Sequence, residues 1–247
     1  MHVPPLYAHR LGRAYGPDSS WPALSRSLAA GVSGLETDVC LTADGRLALL
    51  HEPYLPLGTT LEGWAHERTA AEVAAGRLLD VAGTPSEHRP LLLDELLDAV
   101  PAGTMLQLEV KAHADAGLAR RTAEAVCERL DRPPRRAPVE VLSFHTAACE
   151  AAAARGLPAR LVAWAEHAPT ALARWARRHG VGGICVEHFL LSHGLVGVLR
   201  RAGLSVTTGT VNDPALLHRV AGFGPDAITT DRPVELAAEL AARADAA

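Results

Sequence analysis

The sequence of 247 residues predicts an α/β fold, a (β/α)8 TIM barrel in a single domain spanning residues 1–247, and three observations support this. Eight strand-like apolar runs alternate with Ala-rich helical runs, and eight parallel strands close such a barrel. No linker-like segment divides the chain. Glycines follow several helical runs, as helix C-caps require, at Gly31, Gly156, Gly180 and Gly203.

The predicted elements follow one another as strand and helix along the whole chain. The predicted strands are 6–8, 35–41, 105–110, 139–143, 160–164, 183–187, 204–210 and 227–229. The predicted helices are 21–30, 92–100, 116–130, 146–155, 169–179, 192–202, 214–221 and 234–243. Residues 52–90 are too many for a simple connection, so we expect an insertion after the second strand and its hairpin, with a short helix near 70–75.

Composition excludes several classes of protein. Lys and Arg total 24 against 28 Asp and Glu, a net charge of −4, which argues against a nucleic-acid partner held by bulk positive charge. No apolar run reaches the roughly 18 residues that cross a bilayer, and the first ten residues lack a secretory core, so we expect no stable membrane insertion. Four widely spaced cysteines are typical of reduced thiols, which predicts a cytoplasmic protein.

Carboxylates cluster at the ends of two predicted strands. Side chains alternate along a strand, so Glu36 and Asp38 share one face, and so do Glu109 and Lys111. The outer face of a barrel strand packs on helices, so these charged groups should point inward. Three inward carboxylates suit a hard, oxygen-liganded cation such as Ca²⁺ or Mg²⁺. An internal salt bridge from Lys111 to one of the acids is the alternative, and the two interpretations have equal weight on this pattern alone.

A hairpin follows the second strand. Asp44-Gly45 is typical of a two-residue turn. With that loop Ala43 pairs with Arg46, and counting back places His51 opposite Asp38 on the same face of the ribbon. The hairpin therefore predicts that His51 returns to the carboxylates.

The pair His9-Arg10 ends the first predicted strand, and this end of a barrel strand lines the active site in such folds. His9 and His51 would then flank a metal held by Glu36, Asp38 and Glu109. Two imidazoles across a scissile bond suit general acid–base catalysis. Arg10 and Lys111 supply fixed positive charge, which together with a divalent cation suits a phosphate ester.

At this point the motifs resemble a known family, the glycerophosphodiester phosphodiesterases. In order, the chain has His9-Arg10, Glu36-Thr37-Asp38, Thr42-Ala43-Asp44-Gly45, His51, Glu109-Val110-Lys111, Ser143-Phe144, Thr210-Val211-Asn212 and Ile228-Thr229-Thr230-Asp231-Arg232-Pro233. Each piece is weak, but the ordered set is specific and covers nearly the whole chain.

The resemblance implies a (β/α)8 barrel that hydrolyses a small-molecule phosphodiester to an alcohol and glycerol 3-phosphate. It implies one divalent cation, Ca²⁺ or Mg²⁺, on the three carboxylates, and acid–base roles for His9 and His51. It also implies phosphate contacts from Arg10 and Lys111.

The chain departs from the family pattern at four places that bear on the substrate. Leu11 stands between Arg10 and the next Gly, Asp18 lies in a Pro-Asp-Ser-Ser segment where the family has Pro-Glu-Asn-Thr, Glu52 replaces an Asp, and Gly209 replaces an aromatic residue. The metal and acid–base positions are intact, so phosphodiester hydrolysis is expected. The headgroup is the part that these changes affect.

Two alternatives remain at this point. A related phospholipase would cleave a lysophospholipid or a phosphoinositide, and residues 54–57 of the insertion could touch lipid. A non-catalytic metal- or ligand-binding barrel would leave the pair of imidazoles unexplained.

Two residue types that occur only once in the sequence also fall at the predicted rim of the barrel, where the C-terminal ends of the strands lie. Lys111 is the one Lys beside 23 Arg, and Asn212 is the one Asn. We expect Glu187 and His188, at the end of the sixth barrel strand, to be further candidates for lining the pocket.

Overall fold

The computed structural model describes residues 4–133 and 136–244, which form a barrel of eight parallel strands surrounded by helices. The strands are β1 (Leu6–Ala8), β2 (Gly34–Leu41), β3 (Leu47–Leu49), β4 (Met105–Val110), β5 (Val139–Ser143), β6 (Ala159–Ala163), β7 (Gly183–Glu187), β8 (Ser205–Gly209) and β9 (Ala227–Thr230). All except β3 are parallel, and the ring closes because β1 pairs with both β2 and β9. The predicted TIM-barrel-like α/β fold is confirmed.

The helices lie in the connections between the strands. They are α1 (Trp21–Ala29), α2 (Ala70–Ala74), α3 (Leu93–Ala99), α4 (Ala116–Leu130), α5 (Thr146–Ala154), α6 (Pro169–His179), α7 (His193–Arg201), α8 (Pro214–Gly222) and α9 (Pro233–Ala244). The predicted barrel strands and helices differ from these bounds by at most one residue at either end. No helix of the described chain combines the length and the apolar character needed to cross a membrane.

Helix α4 shows why these runs become helices packed on a barrel. Asp115 caps its first turn, where its side chain accepts hydrogen bonds from the backbone N–H groups of residues 117 and 118. Leu118, Thr122 and Val126, spaced four residues apart, are buried against the sheet. Small and aliphatic side chains of this kind form the core throughout, which fits a chain with only 4% aromatic residues.

The hairpin between β2 and β3 has a different register from the predicted one. Val39 pairs with Leu49, and the backbone N–H of Thr42 donates to the carbonyl of Arg46 at 2.9 Å, so the loop has three residues rather than two. The prediction that His51 stands directly opposite Asp38 is therefore wrong. Leu50 takes that place, since its N–H donates to the Asp38 carbonyl at 3.2 Å.

Residues 52–90 lie between β3 and α3 and contain α2, as the prediction of a short helix near 70–75 required. Thr69 begins α2 with a capping box, because its hydroxyl accepts from the N–H of Glu72 and its own N–H donates to the Glu72 carboxylate. Leu55, Val73 and Leu78 pack in a small apolar cluster that also contains side chains of β2 and β3. This segment is thereby held against the β2–β3 hairpin, next to His51.

Candidate active site

Three carboxylates meet at the C-terminal end of the barrel. In the parallel register of β2 and β4, Asp38 pairs with Glu109, and Glu36 lies two residues earlier on the same inward face of β2. One oxygen from each of the three lies within 4.8 Å of the other two. Glu36 is 3% exposed and Asp38 1%, so the inward orientation predicted from alternation is observed.

The carboxylates fit a hard divalent cation. Glu36 Oε1 and Asp38 Oδ2 are buried and have no hydrogen-bond partner among the described residues. Buried carboxylate oxygens without a partner are costly, and a cation would satisfy both. Desolvation, with the charges of Asp38 and Glu109, raises the pKa of Glu36 to about 8, because the charged form of this buried carboxylate is disfavoured. Glu36, Asp38 and Glu109 are therefore the residues that could hold a metal.

Lys111 and Arg10 lie beside these acids. The Lys111 Nζ is 3.1 Å from Asp38 Oδ1 and also bonds Glu109 Oε1, so the internal salt bridge considered above is present. Its presence leaves the two unpartnered oxygens unsatisfied. Burial would lower the pKa of Lys111, but the neighbouring carboxylates raise it, so Lys111 stays charged. The Arg10 Nε is 3.8 Å from Asp38 Oδ2, and the Arg10 backbone N–H donates to Glu36 Oε2 at 3.0 Å.

His9 lies directly after β1, and a carboxylate fixes its ring. Its Nδ1 donates to Asp231 Oδ1 at 2.6 Å, which leaves Nε2 facing Glu36, 3.9 Å from Oε2. Burial alone would lower the pKa of His9, but the hydrogen bond to Asp231 and the charge of Glu36 outweigh it and raise the pKa.

His51 lies two residues after β3 and reaches the same cavity despite the changed register. Its Nδ1 donates to Glu52 Oε1 at 2.8 Å, which again leaves Nε2 free. Burial lowers the pKa of His51; Asp38 opposes this, and Lys111 adds to it. The two histidines thus each have a carboxylate at Nδ1 and an available Nε2.

Asp231 and Asn212 complete the surroundings of His9, and the residue patterns did not assign them a role. Asn212 Nδ2 donates to Asp231 Oδ2 at 2.6 Å. Asn212 Oδ1 accepts from the Thr230 hydroxyl at 3.0 Å and from the Asp231 N–H at 2.9 Å. The signal that could have found them was their place at the ends of the last two barrel strands, next to the first strand once the barrel closes.

The residues after His9 that depart from the family pattern differ in backbone conformation and form an ion pair. Arg10 and Leu11 both have left-handed backbone, with φ of 48° and 63°, followed by Gly12 at 104°. The extra Leu11 is completely buried in the core. Asp18 pairs with the guanidinium of Arg10 and with Arg13 Nε, the latter at 2.8 Å. The altered segment thus supplies a carboxylate that holds Arg10 in place.

These groups share one cavity of about 360 Å³ at the barrel mouth. The lining contains every predicted site residue, together with Glu187 and His188; it consists of His9, Arg10, Glu36, Asp38, His51, Glu109, Lys111, Leu142, Phe144, Val162, Cys185, Glu187, His188, Gly209, Thr210 and Thr229. The cavity offers three carboxylates for a cation, the imidazoles of His9 and His51 for proton transfer, and two fixed positive charges for an anion.

Comparisons with known proteins agree with this chemistry. The glycerophosphoryl diester phosphodiesterase family matches residues 9–235. A glycerophosphodiester phosphodiesterase of Bacillus altitudinis is 31% identical over 112 residues, which is 43% of this chain and 44% of that protein, so the match spans less than half of the relative's length.

Solved structures resemble almost the whole chain. A glycerophosphodiester phosphodiesterase of Parabacteroides distasonis is 25% identical with a TM-score of 0.78, covering 97% of this chain and 98% of that one. A phosphodiesterase of Oleispira antarctica, solved with the product sn-glycerol-3-phosphate, is 23% identical with a TM-score of 0.85, covering 96% and 97%. With the family match extending over residues 9–235, which include every lining residue of the cavity and every barrel strand except β1, the chain belongs to the glycerophosphoryl diester phosphodiesterase family.

Proposed function

We propose that the chain is a single-domain, metal-dependent enzyme that hydrolyses glycerophosphodiesters to an alcohol and glycerol 3-phosphate, with His9 and His51 as the acid–base pair. The observation that supports this best is the pair of buried, unpartnered oxygens on Glu36 and Asp38, two residues that line the same cavity as both imidazoles. A binding protein has no need for two oriented imidazoles beside such a cluster.

Glu36, Asp38 and Glu109 would hold one divalent cation, Ca²⁺ or Mg²⁺. When bound, it supplies positive charge that polarises the phosphoryl group and compensates the buried carboxylates. Arg10 and Lys111 bind the phosphoryl oxygens and stabilise the charge that develops there. Asp18 orients the guanidinium of Arg10 through their ion pair.

Proton transfer falls to the two Nε2 atoms. Asp231 and Glu52 each accept from the Nδ1–H of one histidine, which fixes the tautomer and the direction of the ring. One histidine removes the proton from the attacking hydroxyl, that of water or of the substrate, and the other gives a proton to the leaving alcohol. The product seen in the Oleispira antarctica phosphodiesterase, sn-glycerol-3-phosphate, is the one expected here.

The first experiment is a substrate panel with and without metal. Glycerophosphocholine, glycerophosphoethanolamine, glycerophosphoglycerol and a lysophospholipid are incubated with protein stripped by EDTA, then with Ca²⁺ or Mg²⁺ restored. We expect turnover that EDTA abolishes and that one of the two cations restores. Absence of turnover with every substrate and both cations would support the non-catalytic barrel instead.

Histidine variants test the acid–base pair. We expect His9→Ala and His51→Ala each to lower kcat by about 10²–10⁴-fold. His88→Ala is the matched control, because His88 is an exposed residue of the insertion, outside the cavity. Turnover close to wild type in either cavity variant would contradict the assignment.

One observation favours a lysophospholipid as a second candidate substrate. A groove of about 420 Å³ between α6 and α7 contains Leu172, Leu195 and Phe189, the last of which is 66% exposed. Leu57, which belongs to the insertion, is 64% exposed. An acyl chain would cover such apolar surface. A higher kcat/KM for the lysophospholipid than for its deacylated counterpart in the panel would establish this candidate.

A further inference from the structure

The exposed large apolar side chains of the protein are unevenly distributed between the two ends of the barrel. Among the described residues they all lie in segments that lead from a strand to the next helix, or at the start of that helix; they are Trp21, Tyr54, Leu57, Val81, Phe144, Trp164 and Phe189. Within the described ranges, the helix-to-strand connections at the opposite end have none. The apolar surface therefore belongs to the connections around the mouth, where the catalytic cavity opens.

Three of these side chains follow neighbouring strands, and we call them the aromatic rim: Phe144, Trp164 and Phe189. Phe144 and Trp164 are the first residues after β5 and β6, and Phe189 is the second residue after β7. The three strands are adjacent in the sheet, and the residues on either side of Trp164 line one groove together with Phe189. Trp164 is 63% exposed and Phe189 66%. Aromatic rings left this exposed on adjoining loops indicate a surface that something else covers.

The segments that carry the aromatic rim have almost no charge. In residues 144–145, 163–168 and 188–192 together, Glu166 is the one Asp, Glu, Lys or Arg. Exposed arginines lie instead at the far end of the barrel, where Arg177 and Arg178 belong to the last turn of α6 and Arg201 to that of α7. The aromatic rim can therefore leave water without stripping charged groups of their hydration, and it has no fixed positive charge to attract an anionic surface.

The cavity inside the aromatic rim limits what can cover it. Phe144 lines the cavity, and so does His188, whose ring packs edge-on against Phe189 with 5.6 Å between the ring centroids. A folded partner or a second copy of the chain seated on the aromatic rim would close the opening through which substrate enters. A lipid surface can cover the same opening and still deliver a phosphodiester into it, because its own molecules are the substrate.

We propose that the aromatic rim docks on the surface of a zwitterionic lipid layer, so that the mouth of the barrel faces lipid. Exposed aromatic rings without nearby charge are the side chains that enter the boundary between headgroups and acyl chains. This inference rests on the proposed function with a lysophospholipid as substrate, since the docked cavity would take its phosphodiester from that layer. The docking itself needs neither metal nor turnover, so it can be measured separately.

The test is sedimentation of the protein with vesicles of pure phosphatidylcholine, at low and at high salt. We expect the wild type to bind, and Trp164→Ser and Phe189→Ser each to weaken binding about tenfold, because each removes apolar surface from the contact. Phe189→Leu keeps an apolar side chain and should bind within about threefold of wild type. Salt should not weaken binding, because no fixed charge takes part in it.

A control variant and a turnover assay separate docking from other effects. The double variant Arg177→Gln, Arg178→Gln changes exposed side chains at the far end of the barrel and should bind vesicles as wild type does. Trp164 lines neither the cavity nor the groove between α6 and α7. Trp164→Ser should therefore slow hydrolysis of lysophosphatidylcholine carried in vesicles and leave hydrolysis of dissolved glycerophosphocholine unaltered.

Several outcomes would overturn the inference. Absence of wild-type binding would do so, and so would binding that high salt or the double arginine variant removes, because the contact would then lie at the far end. A dimer that Trp164→Ser dissociates in analytical ultracentrifugation would assign the aromatic rim to a second copy of the chain. Vesicle binding with the expected pattern in a protein that hydrolyses neither substrate would refute the proposed function and leave the docking surface standing.

Discussion

Asp231→Asn changes only one atom of the site, and we expect it to remove most of the activity. The two oxygens of Asp231 accept different hydrogen bonds, from His9 Nδ1 and from Asn212 Nδ2, both at 2.6 Å. An amide in the same place has one oxygen and one NH₂ group, so it can keep only one of these bonds.

The neighbouring residue decides which bond is lost. Asn212 Oδ1 already accepts from Thr230 and from the backbone N–H of Asp231, so the NH₂ group of Asn212 must keep pointing at the substituted side chain. The new amide therefore turns its oxygen to Asn212 and its NH₂ group to His9. The Nδ1 of His9 must then accept, which moves the ring proton to Nε2 and prevents that atom from taking a proton.

The size of the effect follows from these contacts. Losing a hydrogen bond to a charged group costs about 1.5–3 kcal/mol, roughly 10–150-fold in rate. The wrong tautomer increases this loss, as in the Ser-His-Asp triad, where the same substitution costs roughly 10⁴-fold. We expect kcat to fall by about 10²–10⁴-fold with KM changed little, because Asp231 does not line the cavity.

The assay is steady-state hydrolysis of a glycerophosphodiester at saturating metal, with thermal melting of each variant. Asp213→Asn is the matched control on the neighbouring loop, because Asp213 caps α8 and Asn caps a helix equally well. A kcat for Asp231→Asn within about threefold of wild type would refute the tautomer argument. So would a proportional rise in KM, since that would mean that Asp231 acts through binding.

Three further variants test other parts of the structure. Lys111→Arg should lower kcat/KM about tenfold although it keeps the charge, because the compact ammonium lies 3.1 Å from Asp38 in a crowded cavity, and wild-type kinetics would contradict this. Glu36→Gln should abolish binding of the cation in calorimetric titration. In EDTA its melting temperature should be no lower than that of wild type, since the substitution removes a buried carboxylate whose pKa is raised to about 8. Asp94→Asn should lower the free energy of unfolding by about 0.5–1 kcal/mol at pH 7 without affecting kcat, since Asp94 pairs with Arg129 on the surface. Burial would raise the pKa of Asp94, but its arginine partners lower it. The difference in unfolding free energy between wild type and Asp94→Asn is therefore present above about pH 4 and vanishes as the pH falls through the lowered pKa. A difference that persists in denaturation at pH 2 would refute this assignment.

The sequence alone could predict the carboxylate cluster because only two regularities were needed. Strand alternation places Glu36 and Asp38 on one face, and a parallel pairing of neighbouring strands brings Glu109 level with Asp38. Both are properties of regular backbone, so local pattern determines them.

Strand alternation and parallel pairing could not predict the register of the β2–β3 hairpin. The side chain of Thr42 closes the loop: its hydroxyl donates to Asp44 Oδ1 at 2.6 Å and accepts from the Arg46 N–H at 3.0 Å. This makes a three-residue loop more stable than the two-residue turn that Asp44-Gly45 suggests. His51 consequently lies after the paired residues, where its ring is held by the hydrogen bond to Glu52, the first residue of the insertion, rather than by the ladder.

The partner of His9 depends on closure of the barrel. His9 and Asp231 are 222 residues apart, and they meet because β9 pairs with β1, Ala8 beside Thr230, so that the next residue on each strand stands level. No local pattern contains that pairing, but once eight strands are known to close, the residue after the last strand must adjoin the residue after the first. The orientation of the His9 ring is therefore a consequence of the pairing between β1 and β9. A substitution that weakens this pairing should reduce kcat before it unfolds the rest of the barrel.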